Sequence, residues 1–142
     1  MSGSLFAASA KALKQLGVQC VLSCCERMPF ASNRTENLLV RLRDIQQESL
    51  ASHLPTAFEF LDRCEREGRR CLVHCMVGAS RSVTLVLAFL VVKRGWALRA
   101  AFEHVRARRG KARPNRGFAE QLIALELETR GAASATLADF GY

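Results

Sequence analysis

The spacing of apolar residues divides the first part of the chain into short segments of helical and then extended character. Apolar residues recur at a helical period over about 7–16, and Gly17 follows as a stop signal. The β-branched and apolar segments 18–23 and 38–42 are predicted to be strands. A loop over 28–33 separates them.

The rest of the chain repeats this alternation of strand and helix. A helix is predicted around Pro55 that ends by Gly68, then a short buried strand, and then three helices; the strand covers 71–73 and the helices cover 82–94, 98–110 and 118–127. Such an order predicts an α/β domain with a largely parallel sheet and helices on both faces. Residues 131–142 lack a clear period, so we expect a domain over 1–130 and a flexible tail.

Composition narrows the class of protein without naming a function. The 142 residues are 49% hydrophobic and 24% charged, which is typical of one globular domain. The longest apolar run, 83–92, is half of what a membrane span needs, and the N-terminus lacks a secretory signal pattern. We therefore expect an intracellular protein, cytoplasmic or nuclear. The six cysteines lack zinc-ligand spacing, so neither a metal nor a cofactor is expected.

The net charge of +8 is concentrated in one segment. Residues 93–116 contain nine Lys and Arg side chains and one acidic side chain, whereas the remaining chain is neutral. This pattern fits a solvated helix face, and it equally fits a surface that attracts phosphorylated or acidic partners. Nucleic acid and anionic lipid are compatible with the charge but are not favoured.

The stretch His-Cys-Met-Val-Gly-Ala-Ser-Arg-Ser at 74–82 has the residue types that phosphate chemistry needs. Cys75 supplies a thiolate that can attack phosphorus, and Arg81 supplies a guanidinium fork for two phosphate oxygens. Between them Gly78 allows backbone N–H groups to turn inward. The other interpretation is a core cysteine followed by a surface arginine. The loop predicted to bind phosphate comprises Met76, Val77, Gly78, Ala79, Ser80 and Arg81.

The same stretch resembles the signature loop of the cysteine-based protein tyrosine phosphatase superfamily, and its ending resembles the small, atypical dual-specificity phosphatases. The resemblance runs from about Gly3 to Leu127. It implies a protein tyrosine phosphatase-like α/β fold and hydrolysis through a phosphocysteine without a metal. Members of that family usually carry one or two strands ahead of a segment like Gly3-Ser4. The sheet is therefore expected to lack its first edge strands.

The residues around the loop suggest a division of roles. A helix N-terminus, backbone N–H groups and Arg81 should lower the pKa of the nucleophile Cys75. His74 is expected to orient the loop by hydrogen bonding and not to donate the catalytic proton. Ser82 resembles the family hydroxyl that helps the cysteine leave in the second step; otherwise it is an ordinary serine at a helix N-terminus.

Asp44 is the predicted general acid. It follows a strand and lies 31 residues before Cys75, about the spacing that the resemblance implies for the proton donor. By itself such an aspartate is usually a turn residue or a helix cap. Glu48 is the competing carboxylate.

Two further positions have a predicted role only through the resemblance. Asn115 resembles an asparagine that braces the phosphate loop, although a turn former would have the same sequence. Cys24 resembles a second cysteine that forms a reversible disulfide with the nucleophile, with Cys25 as second choice. Simple core packing is the alternative for both cysteines.

Together these features predict an enzyme, a small dual-specificity phosphatase that acts on phosphotyrosine and phosphoserine/threonine of proteins. The short connection between residues 18 and 38 leaves little chain for the walls of a deep pocket. One alternative is a phosphatase of non-protein phosphates such as RNA 5′ ends, phosphoinositides or phosphorylated sugars. The other is a phosphate-binding pseudoenzyme scaffold.

Overall fold

The computed structural model describes residues 10–27 and 34–142, which form six helices counting one short 3-10 turn, and three strands. The predicted loop 28–33 and the first part of the predicted helix 7–16 lie outside the described residues. None of the helices in the described ranges is long and apolar enough to cross a bilayer. The elements are α1 (Ala10–Gln15), β1 (Val18–Cys24), β2 (Glu36–Val40), α2 (Leu54–Arg66), β3 (Arg70–His74), α3 (Arg81–Arg94), α4 (Leu98–Arg108), α5 (Arg116–Arg130) and the 3-10 turn Leu137–Phe140.

The three described strands form a parallel sheet in the order β2-β1-β3. The second strand lies two residues earlier than the pattern 38–42 predicted, because its pairing with β1 ends where β1 ends, at Cys24 opposite Val40. Residues 41–44 therefore leave the sheet at its carboxyl edge. Parallel strands place their carboxyl ends at the same edge, so Asp44 and the segment after His74 are brought together.

Alternate residues of the strands face two different layers of helices. Leu22 and Cys24 of β1 pack into the main core with α2, α3, α4 and α5, whereas Val21 packs with Leu72 and with Leu13 of α1 on the opposite face. The predicted α/β architecture, a parallel sheet with helices on both faces, is confirmed. The sheet edge that carries the site is therefore packed on both faces by buried apolar side chains.

The segment 131–142 is packed onto the domain, which differs from the flexible tail that its weak periodicity predicted. Phe140 is 1% exposed and its ring stacks on Phe102 at 4.5 Å between centroids. Thr136 and Asp139 cap the 3-10 turn reciprocally. Phe140, Ala135 and Leu137 pack on the main core, and such scattered contacts produce no periodic sequence signal.

A fully buried carboxylate joins this segment to two helices. Glu126 of α5 is 0% exposed and accepts hydrogen bonds from the backbone N–H of Leu98 at 2.7 Å and from the backbone and hydroxyl of Ser134 at 2.6 and 2.7 Å. Burial alone would raise the pKa of this carboxyl group. The hydrogen bonds from Ser134 and Leu98, helped by the charge of Arg130, lower it below its ordinary value.

We expect Glu126→Gln to lower the free energy of unfolding by about 1–3 kcal/mol at pH 7, because an amide cannot accept all the bonds of the carboxylate. The pKa of the folded carboxyl lies below the ordinary 4.5, so its contribution is complete above about pH 4.5 and is lost as the pH falls through the folded value. Denaturant unfolding across pH measures this, with Glu128→Gln as the exposed control. An equal loss in both variants would contradict the prediction.

Candidate active site

The loop 75–80 connects the carboxyl end of β3 to the N-terminus of α3. His74 is the last strand residue, Cys75 follows it, and Arg81 is the first residue of the helix. A loop in this place has the positive end of the helix dipole beside it. The order strand, loop and helix N-terminus is therefore suited to an anion.

Four consecutive loop residues are held from outside by segment 109–115. The Arg109 side chain donates from Nη2 to the carbonyl of Val77 at 2.8 Å and from Nε to the carbonyl of Gly78 at 2.6 Å. The backbone N–H of Arg113 donates to the carbonyl of Ala79 at 2.7 Å, and that of Asn115 to Oγ of Ser80 at 2.9 Å. The outer side of the loop is thus fixed residue by residue.

These bonds also determine where the amide groups of the loop point. In a trans peptide the C=O and N–H point in opposite directions, so carbonyls 77, 78 and 79 facing outward turn N–H groups 78, 79 and 80 inward. The N–H of Gly78 indeed donates to Sγ of Cys75 at 3.1 Å. Gly78 has φ of +75°, and a Cβ there would lie 2.5 Å from Nη2 of Arg109. A side chain at this position would be strained by the positive φ and would push the Arg109 guanidinium away from the loop.

Cys75 is 2% exposed and lies among groups that stabilise its thiolate. Burial by itself would raise the pKa of the thiol. The Ser82 hydroxyl, 3.2 Å from Sγ, acts in the opposite direction together with the backbone N–H groups of Ser82 and Gly78 and the charge of Arg81, and the pKa is lowered below its ordinary value. The structure therefore agrees with the sequence prediction that the pKa of Cys75 is lowered.

Arg81 reaches from the helix N-terminus across to the segment before Asp44. Its Nη1 donates to the carbonyl of Leu42 at 3.1 Å, while its Nε is buried without a hydrogen-bond partner among the described residues. The edge formed by Nε and Nη2 is the bidentate edge of a guanidinium. Because Nη1 is bonded to Leu42, this Nε and Nη2 edge is the pair of donors that Arg81, which lines the cleft, has left for a bidentate contact.

Asp44 and Arg81 line the same cleft, which has a volume of about 630 Å³. Oδ1 of Asp44 accepts a hydrogen bond from Nδ2 of Asn115 at 3.0 Å. The competing Glu48 is bound to Arg43 through its backbone N–H at 2.7 Å and its Nε at 3.1 Å. Hydrogen bonds from Arg43 lower the pKa of Glu48, although its partial burial acts in the opposite direction. Of the two carboxylates, Asp44 is the one placed at the cleft.

Asn115 makes contacts that fit both interpretations of the sequence. Its Oδ1 accepts the N–H of Phe118 at 2.9 Å and thereby caps α5, as a turn former would. Its backbone N–H bonds Ser80, and its amide nitrogen bonds Asp44. The same residue thus joins the phosphate loop, the carboxylate and a helix start.

His74 and Cys24 lie in the buried layer beneath the loop. Nε2 of His74 is 2.6 Å from Oγ of Ser23, and burial lowers the pKa of the imidazole. A neutral, fully buried histidine fits the predicted orienting role. Burial raises the pKa of the Cys24 thiol strongly, and the nearby Cys75 raises it further.

Sequence reasoning missed the contribution of Arg109. It was one of nine basic residues in 93–116, and neither its spacing nor its neighbours distinguish it. Other arginines of the segment also have partners within the domain: Arg94 pairs with Asp62 and Glu65, Arg99 with Glu103, and Arg116 with Glu120. Part of the predicted basic surface is therefore paired with acidic side chains of the domain. The glycine at position 78 is the one local sign in the sequence that another group approaches the loop closely.

Replacing Ser82 by alanine should raise the pKa of Cys75, because the thiolate then loses its closest hydroxyl donor. We expect the pH at which iodoacetamide alkylates Cys75 to move upward, as followed by mass spectrometry of the peptide that contains it. Ser52→Ala, at an exposed serine remote from the cleft, should leave the profile unchanged. Coincident profiles for wild type and Ser82→Ala would show that the hydroxyl does not stabilise the thiolate.

Comparison with known proteins agrees with this geometry. The family described as "Dual specificity phosphatase, catalytic domain" matches residues 3–128. Dual specificity protein phosphatase 1 of Arabidopsis thaliana is 39% identical over 126 residues, which cover 87% of this chain and 64% of that protein. Mouse dual specificity protein phosphatase 22 is 38% identical over 89 residues, or 63% of this chain and 48% of that protein. The chain thus spans less than two thirds of these relatives.

Comparison of the structure with solved structures points to the same family. The crystal structure of human DUSP28 superimposes with a TM-score of 0.84 and 32% sequence identity over 92% of this chain and 93% of that chain. The family match covers most of the sequence, including the loop, Asp44 and Asn115. The chain therefore belongs to the family of dual specificity phosphatase catalytic domains.

Proposed function

We propose that this chain is a cysteine-dependent phosphatase that hydrolyses phosphotyrosine and phosphoserine/threonine in proteins through a phosphocysteine intermediate. The observation that carries the proposal is the buried Cys75 thiol, whose pKa is lowered and which the loop N–H groups face. Its chemistry needs neither metal nor cofactor, because the thiolate is the nucleophile and the loop supplies the positive potential.

In the first step Cys75 Sγ attacks phosphorus, an S–P bond forms and the bond to the leaving oxygen breaks. Arg81 binds two equatorial oxygens through the Nε and Nη2 edge, where the charge is spread in the transition state. The N–H groups of residues 76–81 donate hydrogen bonds to the same oxygens. Asp44 donates the proton that the leaving oxygen needs.

In the second step a water attacks the phosphocysteine and the S–P bond breaks. The carboxylate of Asp44 accepts the proton of the water, and the Ser82 hydroxyl donates to the departing Cys75 thiolate. The 3.2 Å separation of Ser82 Oγ and Cys75 Sγ supports this role. Asn115 holds Asp44 in reach of both steps, and His74 keeps the loop oriented from below.

The rim of the cleft supports a phosphorylated protein as substrate. Ile45 and Met76 line it and are 39% and 53% exposed, and Arg27 and Arg43 line the same cleft. This rim, which also includes Glu26, suits a peptide chain that carries a phosphorylated side chain, and its two apolar side chains suit a tyrosine ring. Arg109 and Arg113 of the basic segment 93–116 are bonded to carbonyls of the domain, which leaves fewer of its charges for a nucleic acid or a lipid.

We also propose an intracellular location, in the cytoplasm or the nucleus. All six cysteines are free thiols, and a reducing compartment keeps the nucleophile free. Fractionation that places the protein in the secretory pathway would contradict this proposal.

Cys24 is our proposed resolving cysteine. Hydrogen peroxide oxidises the Cys75 thiolate to a sulfenic acid and releases hydroxide; the Cys24 sulfur then attacks that sulfur, water leaves, and a disulfide forms. The raised pKa of Cys24 keeps its thiolate fraction small, so the second reaction should accelerate as the pH rises. Mass spectrometry after mild peroxide treatment should find a Cys24–Cys75 disulfide. Cys75 that only over-oxidises would contradict the role.

The function is tested by assaying wild type, Cys75→Ser and Asp44→Asn on an aryl phosphate and then on phosphopeptides, phosphoinositides and 5′-phosphorylated RNA. Cys75→Ser should lose all measurable turnover because a serine at this site is not ionised. Asp44→Asn should lower kcat by about 100-fold or more on substrates with a poor leaving group. Phosphopeptides should give the highest kcat/KM.

Glu48→Gln is the matched control, since it changes the competing carboxylate to an amide and should keep nearly full activity. No wild-type turnover on any substrate would refute the enzyme. Full activity of Asp44→Asn on a poor leaving group would refute its assignment as the acid. A higher kcat/KM on lipid or RNA would refute the protein substrate.

A further inference from the structure

The turn 113–115 is bound on its other side by segment 140–142. Nε and Nη2 of Arg113 donate to the carbonyls of Phe140 and Gly141 at 3.1 and 3.0 Å, and Cζ of Arg113 lies 4.3 Å from the centre of the Tyr142 ring. The Tyr142 hydroxyl donates to the carbonyl of Pro114 at 2.8 Å. Segment 140–142 therefore contacts two successive residues of the turn.

The opposite side of the same turn contacts the catalytic groups. The backbone N–H of Arg113 bonds the carbonyl of Ala79, and Asn115 bonds both Ser80 and Asp44. Only one residue, Pro114, separates the two donors to the loop. Any displacement of the turn must therefore move the phosphate loop and the carboxylate together, or break these bonds.

Segment 140–142 is itself firmly anchored, so it can act as a support. Phe140 is buried against Phe102, and Asp139 caps the 3-10 turn and lies 4.0 Å from Arg99. Proline at 114 limits the flexibility of the turn backbone, which lowers the entropy lost on fixing it. The contact thus runs between two ordered elements.

From this arrangement we infer that Arg113 and Tyr142 form a latch that positions the phosphate loop and Asp44 through the turn 113–115. They are positioning residues, since neither touches the cleft. The inference rests on the proposed catalytic roles of Cys75 and Asp44. A latch of this kind makes catalysis depend on whether segment 140–142 is docked, and a partner or modification that displaces Tyr142 would lower the activity.

The test compares Arg113→Gln and Tyr142→Phe with Arg116→Gln, a matched change of a neighbouring arginine that pairs with Glu120 on the surface. Arg113→Gln should lower kcat on an aryl phosphate by about tenfold, because small displacements of reacting groups are costly. It should also shift the Cys75 alkylation profile to higher pH and speed amide exchange in residues 76–82. Tyr142→Phe, which loses one hydroxyl, should change the same quantities by about twofold.

Arg116→Gln should behave as wild type in all three measurements. Thermal melts show whether each variant folds. If Arg113→Gln does not fold, the latch is tested by Tyr142→Phe alone. Wild-type kcat, alkylation profile and exchange in folded Arg113→Gln and Tyr142→Phe would overturn the latch.

Alkylation and exchange need no turnover, so the two proposals can fail separately. If the wild type shows no turnover but the alkylation and exchange profiles of Arg113→Gln are shifted, the phosphatase proposal is refuted and the latch is kept. Unshifted profiles in an active enzyme would refute the latch alone.

Discussion

The hydrogen bonds from segment 109–115 to the outer side of the loop are the constraint on which the site depends. They hold carbonyls 77, 78 and 79 on the side of the loop away from Cys75. With them, trans peptide geometry directs N–H groups 78–80 toward the sulfur. A preorganised set of dipoles costs no rearrangement when charge develops, and this is how such a site stabilises both a thiolate and a phosphoryl group.

The distribution of positive charge follows from the same constraint. The chain has a net charge of +8, and its excess lies in 93–116. In the structure Arg109 holds the loop, Arg113 holds segment 140–142, and Arg94 pairs with two carboxylates of α2. Two of the nine basic residues of this segment, Arg109 and Arg113, therefore help to assemble the site. Arg81, outside this segment, lines the cleft and keeps its Nε without a hydrogen-bond partner among the described residues.

The sequence predicted those features whose chemistry is local. The spacing of Cys75 and Arg81 is a property of one loop, and Gly17 and Gly68 are local stop signals at positive φ, so the loop and most elements could be placed. Asp44 could be identified only through the spacing to Cys75 that the family resemblance implies. It lies at the cleft because parallel strands end at one edge of the sheet. Arg109 could not be found, because a carbonyl 31 residues away distinguishes it from its neighbours only after folding. The roles of Phe140 and Glu126 could not be predicted for a similar reason, since one buried ring and one buried carboxylate leave no periodic pattern.

The central claim is that the oriented loop makes Cys75 the nucleophile, and trapping the intermediate tests it most directly. A phosphopeptide is mixed with Ser82→Ala, in which departure of the thiolate should be slowed, and the reaction is stopped in acid within one turnover. Mass spectrometry of the digest then locates the phosphoryl group. We expect one phosphoryl group on Cys75 that disappears as phosphate is released. Phosphate release while Cys75 stays unmodified, or a phosphoryl group on another residue, would contradict it.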